Sequence, residues 1–111
     1  GTRCASINGA AVALYDALSR LKMKKHPMRS LVGAISMGVV DGEVMMDLDY
    51  SEDSRADTDM NLVMAEGGGL VEIQGTAEQR PFTRAQLDQM VELGSAAIDK
   101  IVQLQRQVLE I

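Results

Sequence analysis

This sequence predicts an α+β domain with the element order α-β-β-β-β-α. Three observations predict it. Apolar residues recur at helical steps near both ends of the chain. Between these ends lie uncharged or alternating runs broken by Asp41-Gly42 and Gly67-Gly68-Gly69. The 111 residues, 46% hydrophobic and 24% charged, suffice for one layered globular domain and no more.

The first helix follows from Ile7, Ala11, Leu14, Leu18 and Leu21, which share one helical face, with Asn8, Tyr15, Asp16 and Ser19 largely elsewhere. It ends near Lys22-Met23-Lys24-Lys25, where cations suit the negative end of the helix dipole, and Pro27 opposes continuation. Leu31 to Val40 carries no charge and reads as a strand buried on both faces. Asp41-Gly42 then marks a tight hairpin turn. The return strand runs from Glu43 to Tyr50, with Val44, Met46, Leu48 and Tyr50 on one side and Glu43, Met45, Asp47 and Asp49 on the other. A loop leads to a third strand, Met60 to Glu66, and the glycine turn to a fourth, Leu70 to Gly75. The final helix has a capping box, Thr83 with Gln86, and a hydrophobic staple, Phe82 with Leu87. Leu87, Met90, Val91, Ala97, Ile98, Ile101, Gln105 and Val108 mark its inner face, and it can run nearly to Ile111. The double burial of Leu31 to Val40, and a start almost directly in a helix, predict the second half of a larger domain or a sheet covered by a partner chain.

Composition narrows the function. No apolar run approaches the roughly 20 residues that span a bilayer, so no membrane association is expected. Gly1-Thr2-Arg3-Cys4 does not resemble a signal peptide, and the cytoplasm is the default compartment. The single Cys excludes an internal disulfide and a cysteine-cluster zinc site; Cys4 reads as a small filler on a helix. A net charge of −5 argues against coating nucleic acid by bulk electrostatics, although a local basic patch remains compatible with an RNA enzyme. The eight Met read as core filling.

Acidic residues gather at Asp47, Asp49, Glu52, Asp53, Asp57 and Asp59. An EF-hand does not fit: counting from Asp53, the sixth residue is Thr58, where a Gly is needed. Nor is there a Walker loop, since Gly67-Gly68-Gly69 precedes Leu70-Val71. His26, the only His, sits beside Pro27 in a basic loop, and its plain reading is an exposed loop residue. Two readings of the cluster stay open: a solvated acidic loop, or a carboxylate pair, Asp53 with Asp59, that binds a hard cation such as Mg²⁺ or donates a proton. At the other end of the chain, Gly1-Thr2-Arg3 precedes a helix start, where free N–H groups, a hydroxyl and a guanidinium can hold an anion.

Four stretches closely resemble ribonuclease PH: Gly1-Thr2-Arg3-Cys4-Ala5-Ser6-Ile7-Asn8-Gly9-Ala10, Asp47-Leu48-Asp49-Tyr50-Ser51-Glu52-Asp53-Ser54, Ala56-Asp57-Thr58-Asp59-Met60-Asn61, and Glu72-Ile73-Gln74-Gly75-Thr76-Ala77-Glu78. One departure is His26 before Pro27, where that family often has Asn. The resemblance implies a ribosomal-protein-like two-layer fold with a βαβ crossover, of which residues 1–111 form the C-terminal portion, the N-terminal half being absent. It implies a phosphate-dependent 3′→5′ exoribonuclease, or tRNA nucleotidyltransferase, that trims the 3′ ends of tRNA precursors and releases nucleoside diphosphates. Inorganic phosphate is then the co-substrate, Mg²⁺ the cofactor, RNA the partner, and a hexameric ring of dimers the assembly. Phosphate binding maps to Gly1, Thr2 and Arg3, and the catalytic or metal-linked carboxylates to Asp53 and Asp59. A polynucleotide phosphorylase is one alternative, but its second core domain usually has Lys near the position of Asn61. A catalytically silent subunit of an exosome-like ring is another. Such subunits tend to lose the acidic pair or the phosphate-binding Arg, both of which this chain keeps.

Overall fold

The computed structural model begins with α1 (Thr2–Ser19), β1 (Val32–Val40), β2 (Glu43–Met46) and α2 (Tyr50–Arg55). Strands β3 (Thr58–Ala65) and β4 (Leu70–Ala77) follow, and α3 (Arg84–Leu109) closes the chain. All residues are described except Tyr50, Glu52 and Asp53. The sheet has the order β2-β1-β3-β4 with every pairing antiparallel. The described strands therefore hold no parallel pair of the kind a βαβ crossover joins. No helix among the described residues is long and apolar enough to cross a membrane.

Strand alternation assigns the two faces of the sheet. Met37, Val39, Met60, Leu62 and Met64 turn toward α3 and pack with Met90, Ile98 and Val102. Ala34 and Val63 turn the other way, where Cys4 and Ile7 of α1 cover them. The two helices thus cover β1 on both faces: Met37 and Val39 on one side and Ala34 on the other are each at most 4% exposed. Four of the eight methionines, Met37, Met60, Met64 and Met90, fill the core, their unbranched side chains adapting to the gaps between the sheet and α3, whereas Met23 and Met46 are exposed.

The turn chemistry is as expected. Asp41 and Gly42 both take positive φ, 52° and 81°, as a two-residue hairpin requires. Thr83 caps α3 through Gln86, and the Gln86 side chain returns the bond to the Thr83 N–H, completing the capping box. Phe82 and Leu87 both pack against the core. The inner face of α3 differs in detail, because Val102 is buried whereas Val108 is 71% exposed.

Four readings of the sequence are corrected. The return strand stops at Met46 rather than Tyr50, because Asp47 takes a left-handed φ of 54° that the ladder cannot continue. Part of the acidic loop is the short helix α2, and β3 starts at Thr58 rather than Met60. The face that α1 presents is shifted: Ile7, Ala11 and Leu18 turn inward as expected, joined by Cys4, Asn8 and Tyr15, while Leu14 and Leu21 are 52% and 60% exposed.

Asn8 faces inward for a reason of hydrogen bonding. Strand β2 pairs only with Met37 to Val40, which leaves the backbone of the first half of β1 without a neighbour on that edge. Asn8 completes it: Nδ2 donates to Ala34 O at 3.0 Å and Oδ1 accepts from Ala34 N at 2.7 Å. Buried Gln105 of α3 donates to Val32 O at 2.9 Å and to Asn8 O at 3.2 Å. Asn8→Ala leaves a buried N–H and a buried carbonyl unpaired, and is expected to destabilise the protein by about 2–4 kcal/mol, read from urea unfolding.

His26 is also not a simple exposed loop residue. Its ring stacks on Tyr15 with centroids 3.8 Å apart. Nδ1 accepts from the Met28 N–H at 3.1 Å, which assigns the proton to Nε2, beside Ser19 Oγ at 3.1 Å and Tyr15 O at 3.2 Å. The ring ties the end of α1 to the turn into β1.

Glu66, just past β3, is held by Arg106 in the last turns of α3, with Nη2 donating to Oε1 at 2.7 Å. The hydrogen bond from Arg106 holds the Glu66 carboxyl below its usual range. A lowered folded-state value stabilises the protein above the unfolded carboxylate pKa, and that contribution disappears as pH falls through the folded value. Both side chains are partly exposed, so the contribution is at most about 1 kcal/mol. Urea midpoints of wild type and Glu66→Gln are expected to differ at neutral pH and to converge in acid.

Candidate active site

The first turn of α1 lies over the face of the sheet that presents Ser36 of β1 and Asp59 and Asn61 of β3. Together with Gly1, Arg3 and Cys4 these residues line a cavity of about 200 Å³. Gly1 is the N-cap of α1 without a side-chain cap, and Gly1, Arg3 and Cys4 of this first turn line the cavity. Asp59 reaches the cavity because alternation along β3 sends Met60 toward α3 and its neighbours the other way. It pairs in register with Gly38 on one side and Thr76 on the other, so both flanking strands fix its backbone.

Arg3 is directed by Glu72 of β4. Its Nη2 donates to Oε2 at 2.9 Å and its Nη1 lies 2.7 Å from Oε1, a two-point contact. The hydrogen bond is the main cause that raises the Arg3 pKa and lowers that of Glu72. Sequence reasoning missed this partner, although Glu72 opens the fourth stretch that carries the family resemblance. Asn61 accepts a weak bond from Cys4 Sγ at 3.5 Å and donates to Gln74 Oε1 at 3.4 Å. Burial pushes the Cys4 thiol upward, which keeps it protonated and agrees with its role as a filler.

Of the residues expected to bind phosphate, Gly1 and Arg3 line the cavity and Thr2 is not among its walls. Of the two expected carboxylates, Asp59 lines it, and Asp53 lies outside the described residues. The other acidic residues separate. Asp57 pairs with Arg80 at 3.1 Å, and Asp49 accepts from Ser51 Oγ at 2.9 Å. Asp47 Oδ1 lies 3.7 Å from where a Gly1 Cβ would stand, at the edge of the cavity.

The donor set can be tested against Mg²⁺. No group of three or more His, Cys, Asp or Glu among the described residues is placed to hold a metal. A caged structural ion therefore finds no site among them. The arrangement fits instead an ion held by one or two carboxylates and completed by water and phosphate, the usual habit of Mg²⁺. Asp59 is the described carboxylate that lines such a site.

Comparison with known proteins identifies the family and the fold. The family model described as 3′ exoribonuclease family, domain 2, matches residues 30–97. The chain is similar to rice (Oryza sativa) Rrp46, with a TM-score of 0.76 and 25% identity over 95% of this chain and 46% of that one. It shares the fold of a chain from the Archaeoglobus fulgidus exosome with RNA bound to the active site, with a TM-score of 0.60 and 16% identity over 75% of this chain and 34% of that one. The chain thus spans less than half the length of either structure.

Proposed function

Since the chain belongs to the 3′ exoribonuclease family and carries its domain 2, we propose that it acts as a phosphorolytic 3′→5′ exoribonuclease of the ribonuclease PH type. One observation carries this reading: Gly1 and Arg3, at one end of the sequence, line the same cavity as Asp59 of β3. Attack of phosphate on a phosphodiester needs an anion cradle and a proton donor or cation within reach of one reacting centre. Arg3 and the first turn of α1 supply the cradle, with Gly1 allowing close approach. Asp59 supplies the carboxylate, with Asp53 as its expected partner. Phosphate held by Arg3 attacks the terminal phosphorus, the 3′ oxygen of the shortened RNA leaves, and a nucleoside diphosphate is released. Asp59 either protonates that oxygen or holds Mg²⁺, which when bound offsets the charge on phosphate. The substrate class is RNA with a free 3′ end, tRNA precursors in this reading, and the assembly is a hexameric ring of dimers.

The Arg3–Glu72 pair favours a second reading, a silent ring subunit, because it occupies the guanidinium that phosphate needs. One assay separates the two. The full-length chain is incubated with 3′-extended RNA, with and without inorganic phosphate, and the products are resolved. Nucleoside diphosphates that form only with phosphate are expected. Monophosphates formed without phosphate would reject phosphorolysis, and no release under either condition supports the silent subunit.

A further inference from the structure

One polar atom in this cavity has no role in the reading above. Ser36 Oγ is shielded from solvent and has no hydrogen-bond partner among the described residues. The backbone around it is satisfied: Ser36 O accepts from Asp47 N at 2.7 Å, and both polar groups of Ala34 are bonded to Asn8. Only the hydroxyl is left over. Ser36 lines the cavity with Gly1, Arg3 and Asp59, and its Oγ lies 3.9 Å from where a Gly1 Cβ would stand. It is therefore beside the first residue of the proposed phosphate cradle.

A buried hydroxyl without a partner is costly and rare in native structures, and such an exception calls for a reason. Here the reason is chemical. Asp59 lines the cavity, Asp47 stands near Gly1, and Glu72 holds Arg3. These carboxylates oppose an incoming anion. A neutral hydroxyl donates without adding negative charge, and since it is already dehydrated, binding incurs no further desolvation of that group. A cavity of about 200 Å³ is also well beyond the share of one water molecule.

We infer that Ser36 is a phosphate-binding residue, its hydroxyl donating to an oxygen of inorganic phosphate in the cavity formed by Gly1, Arg3 and Asp59. This inference rests on the phosphorolytic reading. Ser36 works with Arg3: the guanidinium supplies charge, and the hydroxyl fixes the orientation of the tetrahedral anion.

The test uses the full-length chain and inorganic phosphate, followed by calorimetric titration and by the KM for phosphate. Ser36→Ala is expected to weaken phosphate binding and raise that KM about tenfold, the loss of one hydrogen bond to a charged group, with kcat within about twofold. Ser36→Thr keeps the hydroxyl and is expected to keep most of the affinity. In phosphate-free buffer the thermal midpoint of Ser36→Ala is expected to be unchanged or higher, because the substitution removes an unpaired buried group. A lower midpoint there would identify a structural serine and overturn the inference, as would an unchanged phosphate affinity. Arg3→Ala keeps the two readings distinguishable. If Arg3→Ala weakens phosphate binding and Ser36→Ala does not, the role of Ser36 fails and phosphorolysis stands. If the wild type neither binds phosphate nor needs it for release, phosphorolysis fails and the inference fails with it.

Discussion

Asp59→Asn is expected to lower phosphate-dependent release of nucleoside diphosphates by at least about 100-fold while leaving the chain folded. The substitution keeps the shape of the side chain and removes its charge and its acidity. Asp59 sits inside the ladder of β3, paired with Gly38 and Thr76, so the backbone around it is fixed by both neighbouring strands. Circular dichroism and urea midpoints should therefore stay close to wild type. The size of the loss alone does not separate a proton donor from a metal ligand, but the dependence on Mg²⁺ does. If Asp59 holds the ion, raising Mg²⁺ restores part of the rate, because the amide oxygen of Asn still ligates weakly. If Asp59 donates a proton, added Mg²⁺ restores nothing. Turnover near that of the wild type at ordinary Mg²⁺ would remove Asp59 from the mechanism.

What the sequence made legible was mostly local. The capping box of Thr83 and Gln86 and the positive-φ turn at Asp41-Gly42 are short-range chemistry, and both form as read. The uncharged run through β1 announced burial on both faces without saying what covers it. The errors came where a distant partner overrides a local pattern. Alternation through Asp47, Leu48 and Asp49 looks like a strand, yet β2 ends at Met46. Helical spacing favoured Leu14 and Leu21, whereas α1 is oriented by the backbone of Ala34, which Asn8 completes. No periodicity rule expects an Asn on a packed face, because its partner is a sheet edge elsewhere in the sequence. The site shows the same limit. Arg3 and Asp59 stand out by residue type and position, and the family resemblance singles them out. Glu72 and Ser36 became visible only when folding brought β4 and β1 beside the start of α1.

Gly38→Ala is expected to have one of the largest effects on stability of any single methyl addition in this chain. A Cβ at Gly38 would stand 2.3 Å from Thr58 O and 2.9 Å from Leu48 Cδ1. Leu48 can turn aside, but the carbonyl belongs to the backbone of β3 and moves only if the strand moves. Gly38 and Asp59 are register partners, so the displaced peptide is the one immediately before Asp59. The expected cost is about 3 kcal/mol or more, at the upper end for overpacking, together with a fall in activity that exceeds the fraction unfolded. Gly9→Ala is the matched control. Gly9 lies within α1, and a Cβ there meets nothing within 4 Å. Replacing a Gly in an exposed helical position is expected to raise stability by about 0.5–1 kcal/mol. Urea unfolding of the pair reads both signs in one experiment. If Gly38→Ala is neutral, β3 can shift without strain and the rigid placement of Asp59 by its neighbouring strands is wrong. If the substitution destabilises the chain but the folded fraction keeps full activity, the strand shift does not reach the carboxylate. Loss of both locates the close approach of β1 and β3 at Gly38 as the contact that sets the position of Asp59.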